Sequence, residues 1–172
     1  MKKHITIIAL ALFSLATVFS GCKKDNNNDQ PEQKQKYNVS YELDNVCEVV
    51  NPFNEDTIVF SMSPCFKANI SYVEASGNTT KLTDVTLPWK KEIIVEAPFN
   101  ASVQVELTFK EEELPDSVTV VKSGRLGIKK TEASSYYYNE DKRGNTFLKN
   151  KFLEHIVSQP IFLKYGFQQS IN

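Results

Sequence analysis

Histidine is nearly missing from this chain, with His4 and His155 the two in 172 residues. His4 lies in a stretch read below as removable, so His155 is the one imidazole left to act as base in a serine or cysteine hydrolase. It shares the spacing of one helix face with Leu148, Phe152 and Ile156, which makes a packed core histidine the expectation. No second metal ligand stands at helical spacing from it, and with Cys22, Cys47 and Cys65 as the only thiols no zinc pattern exists. A glycine-rich phosphate loop, a Gly-x-Ser-x-Gly turn and an EF-hand spacing are all missing. Charge of one sign is missing too: 20 Lys and Arg against 21 Asp and Glu leave a formal net charge of -1. That excludes the basic excess of a nucleic-acid binder and the acidic excess of a disordered solvating chain. Neither cofactor nor metal nor nucleic acid is therefore expected, and no residue is assigned as catalytic.

What is present begins with Lys2 and Lys3, an apolar run from Ile5 to Val18, and small residues Ser20 and Gly21 before Cys22. That order is a bacterial secretory signal. Its apolar core of about 14 residues is short of the roughly 20 needed to span a bilayer. Phe19-Ser20-Gly21-Cys22 resembles the lipobox of bacterial lipoproteins, with Phe19 where leucine is usual. The resemblance implies a signal peptide over residues 1–21, cut before Cys22, and acylation of Cys22. One acyl chain binds membranes only marginally, whereas two or three hold firmly. Lys23 stands where an aspartate retains some lipoproteins in the inner membrane, which favours the outer membrane. Residues 23–36 carry no large apolar side chain and are rich in Asn, Gln, Lys and Asp. Such a segment cannot order itself, and as a coil of about 14 residues it spans roughly 20 Å. Residues 22–36 are thus expected to be a lipidated cysteine and flexible tether.

From Tyr37 the texture changes. Tyr37, Val39, Tyr41 and Leu43 alternate with polar residues, as do Phe66, Ala68, Ile70 and Tyr72, and later Val103, Val105, Leu107 and Phe109. A period of two argues half-buried strands. Asn51-Pro52, Ser63-Pro64, Ser76-Gly77-Asn78, Pro98 to Asn100 and Ser123-Gly124 read as turns between them. Short strands with turn signals every eight to twelve residues or so indicate an all-β sandwich or barrel. Asn139 to Asn145 reads as a polar loop, and Thr146 to Ser158 as a helix capped by Asn145 or Thr146 and stopped by Pro160. Ile161 to Phe167 is expected to be a last strand or extended tail.

Phe66 to Tyr72, the Gly77-Asn78 turn and Leu82-Thr83-Asp84-Val85-Thr86-Leu87-Pro88-Trp89 resemble the MmpS-like family of small exported proteins. Val118 to Lys130 is similar to the family's closing hairpin. The likeness covers about residues 66 to 135, and a lipid anchor replaces the family's membrane helix. It implies an immunoglobulin-like β-sandwich and a role as periplasmic accessory to an exporter of lipids or siderophores. The expected domains are then a sandwich over residues 37–135 and a strand/helix extension over residues 136–172, with a short C-terminal helix.

Candidate sites are few. Glu111-Glu112-Glu113 with Asp116 is the densest acidic cluster. A hydrolase needs two carboxylates in different environments, while consecutive glutamates between strands fit a solvated loop. Trp89, Tyr136 and Tyr138 are candidate ring platforms for a glycan, although aromatics more often serve sheet packing. Cys47 and Cys65 lie in neighbouring strand-like segments of an exported chain and are expected to form a disulfide; two free buried thiols are the alternative. Asp56-Thr57-Ile58 and Asp116-Ser117-Val118 resemble the acceptor for general O-glycosylation in some gut commensals, which nominates Thr57 and Ser117. The composite expectation is a monomeric, non-enzymatic binding or structural module of the cell envelope. Its partners would be the membrane, through the anchor, and an envelope protein or glycan. A small hydrolase using the acidic loop is the reading from another class.

Overall fold

A computed structural model describes residues 34–133 and 137–172; Cys22, most of the tether and Tyr136 lie outside the described residues. Strands β1 (Lys36–Asp44), β6 (Trp89–Glu96), β8 (Ser117–Lys130) and β9 (Tyr137–Leu148) form an antiparallel sheet in the order β6-β1-β8-β9. A second antiparallel sheet holds β4 (Lys67–Val73), β5 (Thr79–Val85), β7 (Phe99–Thr108) and β10 (Lys164–Ile171), in the order β10-β7-β4-β5. Between β1 and β4 the chain makes a separate hairpin of β2 (Val46–Val50) and β3 (Thr57–Ser61). Among the described residues one α-helix, α1 (Lys149–Ser158), links β9 to β10 through a 3-10 turn at Pro160–Leu163. The protein is an all-β sandwich with a short C-terminal helix.

Alternation builds its core. Val39, Tyr41 and Leu43 of β1, Ala68, Ile70 and Tyr72 of β4, and Ala101, Val103, Val105 and Leu107 of β7 are all buried in one cluster. The residues between them, such as Glu42, Ser71, Gln104 and Glu106, belong to the opposite faces, because successive side chains on a strand point to opposite sides. Two inner faces meeting in this way make the sandwich. Tyr41 crosses the interior and donates its phenol to the Val73 carbonyl at 2.8 Å. The most buried hydroxyl of β1 is thereby satisfied, which removes the penalty of about 1–3 kcal/mol for an orphaned polar group. Its ring meets Tyr72 at 5.7 Å between centroids, and Tyr72 meets Trp89 at 5.3 Å.

Four sequence expectations are corrected. Ser123-Gly124 does not turn: β8 runs unbroken through it, and Gly124 is needed because β1 crosses it so closely that a Cβ would come within 2.4 Å of the Glu42 carbonyl. Asn139 to Asn145 is not a loop but the middle of β9, paired to β8 from Ile128 to Ser117. An edge strand tolerates a charged, polar sequence, and charge there blunts pairing with other chains. The helix starts at Lys149 rather than Thr146, because Thr146 is held in the ladder opposite Thr119 and its hydroxyl contacts that of Thr119 at 3.0 Å. Leu148 is consequently exposed, while Phe152 is fully buried. Finally, residues 137–172 are no extension laid on a finished sandwich, since β9 and β10 each supply an edge strand to one of the two sheets.

Candidate functional site

Of the residues with catalytic potential, His155 lies on α1 among aromatic rings, while the acidic run lies in a turn bonded to the start of α1. Phe152 meets Phe66, Phe109 and Phe147 at centroid distances of 5.9, 5.3 and 6.1 Å. His155 stacks on Phe147 at 5.3 Å and meets Phe162 edge-on at 4.5 Å. The imidazole thus sits between two phenyl rings, as a packed histidine would. Lys122 is 8% exposed and holds its ammonium 4.3 Å from the centre of the Phe162 ring. Burial, helped by the like charge of Arg143, holds its pKa below the ordinary lysine value.

Glu111–Glu113 form an exposed 3-10 turn. Glu113 pairs with Lys110 at 2.8 Å. The backbone of the loop is tied to the start of α1: the Lys149 ammonium donates to the Glu111 carbonyl at 3.0 Å, and the Lys149 N–H to the Asp116 carbonyl at 2.9 Å. Asp116 is exposed too. The acidic run therefore offers no carboxylate in a desolvated setting, the feature a general acid needs.

On the outer face of the first sheet, Glu42 is half-buried and accepts from Ser40 at 2.9 Å, from Lys90 at 3.1 Å and from Arg125. Burial works against the ionised form, yet the hydrogen bonds from Lys90, Arg125 and Ser40 outweigh it and hold the carboxyl below its usual range. The Arg125 guanidinium lies 5.2 Å from the Tyr138 ring. Trp89, by contrast, stands on β6 opposite Leu43, whose side is the core side, and packs on Tyr72. Trp89 and Tyr138 thus occupy opposite edge strands and opposite faces of one sheet, so they do not form a shared ring platform.

Thr57 and Ser117 are the first residues of β3 and β8, both exposed, at junctions between loop and strand. Cys47 and Cys65 are both buried and both free, contrary to the expected bridge. The reason is the sheet between them. Cys65 belongs to the interior cluster between the two sheets. Cys47 lies opposite Phe60 in the hairpin, and Phe60 rests on Gly144 on the outer side of β9.

Two features escaped the sequence. One is a shallow depression of about 380 Å³ on the outer face of the second sheet, with Asn69, Ser71, Lys81, Gln104, Glu106 and Lys164 along it. The other is the β2–β3 hairpin, which leaves Val46, Val50, Phe53, Ile58 and Val59 exposed. Both were hidden for the same reason: strand alternation shows that a residue is on a face, not whether anything covers that face. Among the described residues no group of three or more His, Cys, Asp or Glu could hold a metal ion, and no helix is long and apolar enough to cross a membrane. No protein-family model and no curated protein matches the chain.

Proposed function

We propose that the protein is a lipid-anchored module of the cell envelope that holds a partner and carries out no chemistry. The observation that supports this most is the position of His155, whose ring is committed to Phe147 and Phe162. The acidic loop adds to it, since its carboxylates stand in solvent and its carbonyls brace α1. What remains is a rigid sandwich with exposed loops, and such scaffolds suit binding. The anchor is Cys22, and the outer membrane is its place because Lys23 follows it. Residues 23–36 let the module search a shell roughly 20 Å deep while attached. Thr57 and Ser117 remain accessible acceptors for O-glycosylation.

A second reading, accessory to an exporter of lipids or siderophores, rests on the MmpS-like residues 66 to 135. The continuous β8 weighs against it, because the family's closing hairpin would turn at Ser123-Gly124. Metabolic labelling of intact cells with a palmitate analogue tests the leading proposal: the wild type should be labelled and membrane-bound, and Cys22→Ala should be unlabelled. An unlabelled wild type that stays with the membrane overturns it.

A further inference from the structure

The β2–β3 hairpin is the part of the molecule that the fold explains least. The segment from Asn45 to Ser63 leaves the end of β1 and returns to the start of β4, longer than a connection between strands requires. One face is seated. Phe60 lies against Gly144, where a Cβ would come within 2.2 Å of the ring, and Cys47 opposite it is buried. Ser63 exchanges two hydrogen bonds of 2.9 Å with the backbone of Thr119 and pins the base. The other face is bare. Val46, Val50 and Val59 fall on it by register, since Val46 faces Ser61, Glu48 faces Val59 and Val50 faces Thr57.

Phe53 stands at the tip and is 95% exposed. The turn that carries it is braced by its own bonds. Asn51 N–H donates to the Asp56 carbonyl at 2.8 Å, Glu55 N–H to the Asn51 carbonyl at 2.9 Å, and Phe53 N–H to the Asn51 side chain at 3.0 Å. An aromatic ring on a preformed turn loses little entropy on docking. Five of the eleven large hydrophobic side chains exposed among the described residues lie in this hairpin. That concentration differs from the scatter of single apolar residues normal for a surface. Charge identifies the occupant. Glu48, Glu55 and Asp56 are the ionisable groups between residues 45 and 66 apart from the two thiols, and no Lys or Arg interrupts them. Anionic lipid surfaces would repel this collar, since interfacial anchors carry Lys and Arg beside their apolar residues.

We propose that the β2–β3 hairpin is a docking element for a protein partner that offers an apolar pocket to Phe53 and a Lys/Arg rim to Glu48, Glu55 and Asp56. This deepens the binding reading above and rests on it.

The test places a photo-crosslinking benzoylphenylalanine at position 53 or 59 of the full-length chain in intact cells, with position 81 as control. Expected is one protein adduct from 53 and 59 and none from 81. The crosslinked peptide should carry apolar residues beside Lys or Arg. Joint substitution Glu48→Lys, Glu55→Lys and Asp56→Lys should reduce the adduct about tenfold or more. Restoration by Lys→Glu changes in that peptide would support the pairing further. Adducts to lipid, adducts joining two copies of this chain, an adduct indifferent to charge reversal, or no adduct above control each overturn the proposal. Palmitate labelling of the same cells reports the anchor separately, so the two readings fail independently. The replaced side chains are exposed, and an unchanged thermal transition of each variant checks that the fold is retained.

Discussion

At the scale of single residues, an environment reads differently from an identity. Cysteine identity and export together suggest a bridge, yet Cys47 and Cys65 lie on opposite sides of the first sheet. Burial pushes both thiols up, against a weaker downward pull from Lys142 at Cys47 and from a backbone hydrogen bond at Cys65. Because the thiolate is the nucleophile, both should resist iodoacetamide at neutral pH in the folded protein and react fully in denaturant. A disulfide-linked pair of Cys47 and Cys65 peptides in a non-reduced digest would contradict this. His155 meets its expectation in part: its ring packs on Phe147 and Phe162, but it is half-buried rather than in the core, and Leu148, placed on the same face by the spacing, precedes the helix and is exposed. Trp89 was visible as an aromatic at a strand start. The side it faces was not, because that depends on pairing with Leu43.

At the scale of elements, alternation disclosed β1, β4 and β7, whose inner residues are apolar without exception in their central stretches. It failed at β9, where Asn139, Asp141, Arg143 and Asn145 face the same way at an open edge and leave no apolar signal. It failed again at Gly124, where glycine marks a close backbone approach instead of a turn. The outer face of the first sheet carries its own ion network, and Glu42 is its centre. Glu42 ionises below its unfolded pKa, so its stabilisation is complete above that unfolded value and is lost as pH falls through the folded one. Glu42→Gln should therefore lower stability at pH 7 by about 1 kcal/mol. The difference from wild type should shrink as the solution is acidified below the ordinary carboxylate range. Urea unfolding at a series of pH values measures it, and a deficit that persists unchanged into acid would assign the role of Glu42 to shape rather than charge.

At the scale of the whole molecule, the last strand and the hairpin make opposite contributions. β10 pairs along β7 from Phe99 to Glu106 and places Tyr165, Phe167 and Ile171 in the core cluster. Burying Phe167 and Ile171 is worth about 1.5–3 kcal/mol each, while part of the gain from the Tyr165 ring is offset because its hydroxyl is buried without a hydrogen-bond partner. The sum is still a large part of the net stability of about 5–15 kcal/mol typical of a domain. A chain ending at residue 163 also bares the outer backbone edge of β7. It should show no cooperative thermal transition by circular dichroism. The hairpin places no residue in that cluster, and its tip is held by bonds made within the turn. Exchanging Pro52–Glu55 for a short Asn-Gly turn should accordingly leave the melting midpoint within a few degrees of wild type. If the truncated chain melts cooperatively, β10 is an accessory and the core is smaller than the cluster indicates. If the tip exchange unfolds the sandwich, the hairpin is part of the scaffold, and its exposed valines and Phe53 lose their claim to be there for a partner.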